Sequence, residues 1–449
     1  VAKLGEGGEL PDHNEFPMSS PTSTQKGGST TRLAGASSRY KLLVQLLSRH
    51  SRYAKAIAEA CRPAEHDSLA QALVAVTSGV GGTLPIIRDI MSLEFERKAT
   101  TPNTILRVNS IASKICGLYV RKLGSAWLKR LLADVFEDML AHETLCLECD
   151  AERLASSTAD PQAVAARNLQ LLDDWCSRLL DQIVNPDMRA ELPREIRALA
   201  FFILNLSEKY AIAQHGGSSL GLVGGFLLLR FICPAIALPT NYGILPEGFM
   251  PSAQARRNLT LIAKVLQKMS NGEFFDEQSE PALAKMNGFI ERNRGRLSQH
   301  LAKVCDDPAS SGLQEPFDDV DPPVSFEVLH FKEFDTKDLV FIHQMLHQYA
   351  EDIIVKLQSY SLSQEESMSG ILSSDAEFIK LVGELGPPPP TSSHRTKATP
   401  DVSVENGAVA AAGRSQELID LGLRNLLQGT DRFDTAPMEA AKFFYPGPA

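Results

Sequence analysis

FLLLRFICPAI, residues 226–236, sets one arginine inside a run that is otherwise almost entirely apolar. A guanidinium cannot shed its charge, so one taken out of water needs hydrogen-bond acceptors fixed around it. Arg230 is therefore expected to hold something in place. The apolar run widens to residues 220–238, nineteen residues with a single charge, and could be mistaken for a membrane span. Gly221, Gly224, Gly225 and Pro234 interrupt it, however. An arginine at the centre also costs about 2.5–3.5 kcal/mol even on the lenient insertion scale. A buried helix of a helical bundle is the expectation.

Helical periodicity surrounds this run. Leu42, Leu43, Leu46 and Leu47 recur at three- and four-residue spacing, and 69–76 and 86–93 continue the pattern across a break near 79–84. Two amphipathic helices are expected over 111–123 and 127–140. Asp160 with Pro161 makes a helix start, followed by 168–183, and Pro193 opens another over 196–212. Further helices are expected over 253–270, 286–304, 335–357 and 376–385. No strand alternation and no fixed-period repeat stands out, so the body of the chain, roughly 40–386, reads as all-α.

The ends differ. Residues 1–38 are rich in Ser, Thr, Gly and Pro with few large apolar side chains, and cannot bury enough surface to offset ordering entropy. The tail over 391–449 has the same character apart from a weak helix over 416–427, and both ends are expected to be disordered. The segment 306–325 is acidic and proline-rich and reads as a loop or linker. Pro387 to Pro390 read as a helix stop.

With 449 residues, 43% hydrophobic and 22% charged, the chain has the composition of a soluble globular protein, and its aromatic share of 7% favours helices over sheets. The formal charge of −10 and the lack of a strongly basic tract argue against nucleic acid as a main partner. Seven scattered cysteines suit reduced thiols better than a disulfide framework. Cys146 and Cys149 form a lone CxxC with no second pair at zinc spacing, so no metal is expected. The N-terminus shows no basic-then-apolar secretory pattern.

A second arginine, Arg107, lies in a short segment between Pro102 and a helix that starts near Ser110, which can serve as its N-cap. An arginine on a loop just ahead of a helix is free to project outward. The surrounding stretch, Ile105-Leu106-Arg107-Val108-Asn109-Ser110-Ile111-Ala112-Ser113, resembles the finger loop of the Ras GTPase-activating domain, and residues 226–236 match the F-L-x-L-R-F-I-[NC]-P-A-I segment of that family almost letter for letter. Residues 192–199 and 257–264 resemble two further family segments, in the right order and spacing. Residues 341–390 resemble the neurofibromin-type branch.

The resemblance implies an all-α, multi-helix domain of this family over 39–390, with its catalytic core at about 85–305 and extra C-terminal helices over 326–386. It implies a GTPase activator that performs no chemistry of its own. Arg107 would be a finger supplied in trans to a small Ras-family GTPase, Ras or Rap, in its GTP-bound form, turning off Ras signalling. Such a finger on Ras-type GTPases is worth roughly 10³–10⁵ in rate. By the same resemblance Arg230 fixes the finger loop through its backbone carbonyls. Leu106, Asn109, Ser110, Leu229, Arg257, Lys264 and Asn271 are the GTPase-binding set. GTP and Mg²⁺ would belong to the partner, so the chain needs no cofactor. Location would be cytoplasmic, at membranes only through the lipidated GTPase. The competing expectation is a non-catalytic scaffold that binds the GTP-loaded GTPase through the same groove. Scaffold members tend to lack the finger arginine, which this chain keeps. The stretch 245–248 has no lysine where the neurofibromin branch carries basic residues.

Overall fold

The two helices expected on either side of Gly124 are one, Ile111–Ala141, unbroken for 31 residues. The computed structural model describes residues 29–106, 110–142, 144–245, 249–306, 336–361 and 368–389, and no strand occurs among them. The longer helices before this one are α1 (Ser29–Arg49), α2 (Ser51–Ala60), α3 (His66–Thr77) and α4 (Thr83–Lys98), which makes Ile111–Ala141 α5. After it come α6 (Pro161–Val184), α7 (Arg194–Lys209), and α8 (Ser219–Ala237), which is helical throughout but in three parts. The rest are α9 (Ala253–Ser270), α10 (Asn287–Val304), α11 (Thr336–Gln348), α12 (Ala350–Ser361) and α13 (Met368–Leu385).

Gly124 is a landing site and not a helix break. A Cβ there would stand 2.2 Å from Cζ of Phe231, so only hydrogen lets α8 approach α5 this closely. The Phe231 ring stacks on Trp127 one turn further along, 5.8 Å between centroids, and the Trp127 indole N–H donates to the Met188 carbonyl at 2.7 Å. On its other side α8 meets α9 at Gly224, where a Cβ would lie 2.9 Å from Oγ of Ser270. The apolar run is thus wedged between α5 and α9. It is long and apolar enough to cross a membrane, but 67% of its most apolar stretch is buried inside the molecule.

The middle of α8, Gly225–Ile232, is a π-helix between an α-helical start, Ser219–Gly224, and finish, Cys233–Ala237. The apolar run by itself predicts an ordinary buried helix here. The wider π turn is uncommon and recurs at functional sites. Here it carries Arg230.

The C-terminal helices fold back on the N-terminal ones. Tyr53 of α2 stacks on Phe378 of α13 at 4.1 Å with the rings 3° apart. Arg52 pairs with Asp375 at 2.8 Å. Tyr40 of α1 and Gly386 beyond α13 both hydrogen-bond to the His343 ring on α11, at 3.0 and 2.9 Å. The flanking elements at the two ends of the body therefore form one packed group.

Three boundary expectations need correction. Disorder through residue 38 gives way to helix at Ser29. Once the packed turn at Leu43, Val44, Leu46 and Leu47 is fixed, each added residue gains a hydrogen bond for little further ordering. The single helix expected over 335–357 is two, divided at Tyr349, whose hydroxyl donates to Glu65 at 2.7 Å. The last helix begins at Met368, ahead of the expected 376. The expected linker over 306–325, save Asp306, and the expected tail over 391–449 with its 416–427 helix lie outside the described residues.

His300 gives the fold a pH dependence. It is 8% exposed on α10, and burial, with Arg189 adding to it, lowers its pKa from 6.5 to about 4. Between those values the unfolded chain binds the extra proton and the folded one does not, so stability falls as pH drops through that window. The melting temperature should decline from pH 6.5 towards pH 4, and His300→Gln should flatten that decline in a calorimetric pH series.

Candidate functional site

The site is built on the peptide of Leu106. Pro102–Thr104 forms a single 3-10 turn after α4, and the chain then dives into the core with Ile105 at 0% and Leu106 at 3% exposure. Leu106 has φ of 55°, in the left-handed region that disfavours a residue with a Cβ. Such a conformation costs about 1–3 kcal/mol and persists only where neighbours over-determine it. Two side chains do so. The Leu106 N–H donates to Oε1 of Glu94 at 3.1 Å, and its carbonyl accepts from Nε of Arg230 at 2.9 Å.

Glu94, which sequence reasoning missed, is 7% exposed on the last turns of α4. Besides Leu106 it accepts from the Ser110 hydroxyl through Oε2, and from Nζ of Lys98 at 2.9 Å through Oε1. A signal for it exists in the sequence: Ile87, Ile90 and Met91 lead into Glu94 at helical spacing, so a carboxylate occupies the apolar stripe. Ser110 is the N-cap of α5, accepting from the Ser113 N–H at 3.2 Å as its position suggested.

Arg230 is half-buried and not fully enclosed. Burial lowers its pKa, and Glu94 nearby works against that, so the guanidinium keeps its charge where the two helices meet the loop. Leu229 beside it is half-buried as well. Arg107 and Asn109, with Val108 between them, lie outside the described residues, as do 246–248 of the stretch lacking lysine.

The structure thus gathers Leu106, Ser110 and Arg230 around Glu94. It changes the part of Leu106: a side chain 3% exposed anchors the loop in the core and has little surface to offer a partner.

The remaining residues of the set sit on α9. Arg257, Lys264 and Asn271 are seven residues apart, hence on one face, over about 21 Å of helix. Arg257 and Lys264 line a groove of about 520 Å³ with Glu148, Asp150, Glu280 and Lys285. Neither cation points there alone. Nε of Arg257 pairs with Glu148 at 2.8 Å, and Lys264 pairs with Glu280. The groove wall is fixed by Asn258, 1% exposed, which accepts from the Leu147 N–H at 3.0 Å and donates to the Leu145 carbonyl at 2.8 Å. Asn271 is the C-cap of α9, and its Oδ1 is buried without a hydrogen-bond partner among the described residues.

Residues 86–271 match the family model described as GTPase-activator protein for Ras-like GTPase. Among curated proteins, the chain is similar to Neurofibromin-A of Dictyostelium discoideum, 34% identical over 279 residues that cover 60% of this chain and 30% of that protein. It is 30% identical to RAS protein activator like-3 of Mus musculus over 62% of this chain and 26% of that protein. It is 23% identical to Inhibitory regulator protein IRA2 of Saccharomyces cerevisiae over 74% and 10% respectively. In these three the match spans a third of the relative's length or less.

Proposed function

We propose that this chain, whose residues 86–271 form a domain of the RasGAP family, completes the active site of a GTP-loaded small Ras-family GTPase and accelerates its GTP hydrolysis. Hydrolysis spreads negative charge over the γ-phosphoryl and leaving oxygens. Arg107, entering from this chain, neutralises that charge with a planar fork that contacts two oxygens at once. GTP and Mg²⁺ are the partner's, and this chain contributes no cofactor. It works in the cytoplasm, at the membranes where the lipidated GTPase, Ras or Rap, resides.

The observation that supports this most is the double hold on Leu106, the residue directly before Arg107. A charge-stabilising group is effective to the extent that it is positioned before the reaction starts. A strained residue gripped at both its N–H and its carbonyl is a fixed base for such a group. Single-turnover hydrolysis by a Ras- or Rap-type GTPase, with and without the chain, tests the proposal. Acceleration of roughly 10³-fold or more is expected; tight binding of the GTP form without acceleration would make the chain a scaffold.

The groove on α9 supplies the affinity in this account, through Lys264 and Arg257 meeting acidic surface on the GTPase. Each cation is already engaged by a carboxylate of its own chain, and an incoming partner has to compete with it. Glu280→Gln frees Lys264, whose side chain is 45% exposed. Exposed pairs are worth at most about 1 kcal/mol, so the gain in affinity should be no more than about fivefold and should shrink with salt. Titration of the GTP-loaded GTPase at low and high ionic strength checks it.

A further inference from the structure

We infer that Glu94 is a positioning residue for the finger arginine, an inference that rests on the proposed GTPase-activating role. Among the described residues, Glu94 bonds both shores of the finger loop. Oε1 takes the N–H of Leu106, the last described residue before Arg107, and Oε2 takes the hydroxyl of Ser110, the first after Asn109. Only three residues, 107–109, separate these two anchors in the sequence.

The two anchors do different work. Ser110 begins α5, so the bond from its hydroxyl ties the loop's exit to the first turn of a 31-residue helix packed through the core. Leu106 holds a left-handed conformation that Glu94 and Arg230 enforce from opposite sides of one residue. Removing Arg230 alone leaves the N–H held; removing Glu94 releases that N–H and the Ser110 hydroxyl together. Lys98, four residues on in the same helix, bonds Oε1 at 2.9 Å and keeps the carboxylate turned towards the loop. A carboxylate serves here because one planar group presents two acceptors to two donors on different segments. A glutamine in its place keeps the size and one acceptor but offers a donor where the second acceptor stood.

The consequence is a specific kinetic pattern. A finger displaced by about 1 Å loses about a hundredfold in rate. Glu94→Gln should therefore lower the maximal stimulated hydrolysis rate by about that factor, with the concentration for half-maximal stimulation changed by less than about threefold, because the α9 groove is untouched. The diagnostic arm is the Arg107→Ala background. If Glu94 acts through Arg107, adding Glu94→Gln there should leave the residual rate unchanged. Loss of folded protein would lower it in both backgrounds. Ser110→Ala, which removes the exit anchor and the N-cap bond of α5 but leaves the hold on Leu106, should fall between the unaltered protein and Glu94→Gln. Single-turnover rates over a concentration series, with melting temperatures for each variant, provide all of these readings. Full acceleration retained by Glu94→Gln, or the same fractional loss with and without Arg107, would overturn the inference while leaving the GTPase-activating role standing. No acceleration by the unaltered chain would overturn that role and the inference with it.

Discussion

Arg107→Ala is expected to remove roughly 10³–10⁵ of the stimulated hydrolysis rate, about 4–7 kcal/mol of transition-state stabilisation. Affinity for the GTP-loaded GTPase should change little. In the proposed role the charge of Arg107 would act where charge develops in the transition state, and removing an interaction confined to the transition state lowers the rate without a matching loss of binding. Arg107→Lys should recover only a small part, because a lysine restores the charge but not the fork. Stopped-flow single-turnover rates at saturating activator, beside equilibrium binding to a non-hydrolysable GTP complex, separate the two quantities. Equal losses in both would mean that Arg107 is an affinity contact.

Arg230→Ala is the second large effect, about a hundredfold in maximal rate. The Leu106 carbonyl loses its donor at 2.9 Å, and the left-handed residue loses one of its two restraints. Glu94 at the same time loses a neighbouring positive charge and remains nearly buried. A melting temperature several degrees lower should accompany the rate loss, since unpairing a buried polar group costs about 1–3 kcal/mol. Arg230→Lys should not rescue, because the bond to Leu106 is made by Nε, which lysine lacks. Binding of the GTPase should persist, as the α9 groove stands on separate contacts. Full activity in Arg230→Lys would show that charge alone suffices at this position.

Much of this arrangement could be read from local signals. The cost of an arginine in an apolar run pointed to Arg230 as a strut, and cap chemistry placed the start of α5 at Ser110 and of α6 at Asp160, which accepts from the Ala163 N–H at 3.1 Å. What escaped depends on tertiary contact. Gly124 looks like a helix breaker until Phe231 is set against it. The π turn at Gly225–Ile232 depends on how α8 is seated between α5 and α9, which no short-range pattern encodes. Glu148 and Glu280 become partners of Arg257 and Lys264 only because segments outside α9 fold over it. Glu94 is the instructive case. A carboxylate on an apolar stripe is the same kind of anomaly as Arg230, and applying the same burial argument to α4 would have singled it out.

In the proposed function, this chain adds a preorganised positive charge to another protein's transition state. The most direct test is complex formation with the GDP-bound GTPase in the presence of aluminium fluoride, which mimics the transferring phosphoryl group. Transition-state analogues bind roughly 10²–10⁸-fold more tightly than ground states when the site is complementary to the transition state. The unaltered chain should form a stable complex only when fluoride and aluminium are both present, and Arg107→Ala should form none under the same conditions. A complex that forms equally well with Arg107→Ala, or one that gains nothing from aluminium fluoride, would rule out a finger role for Arg107.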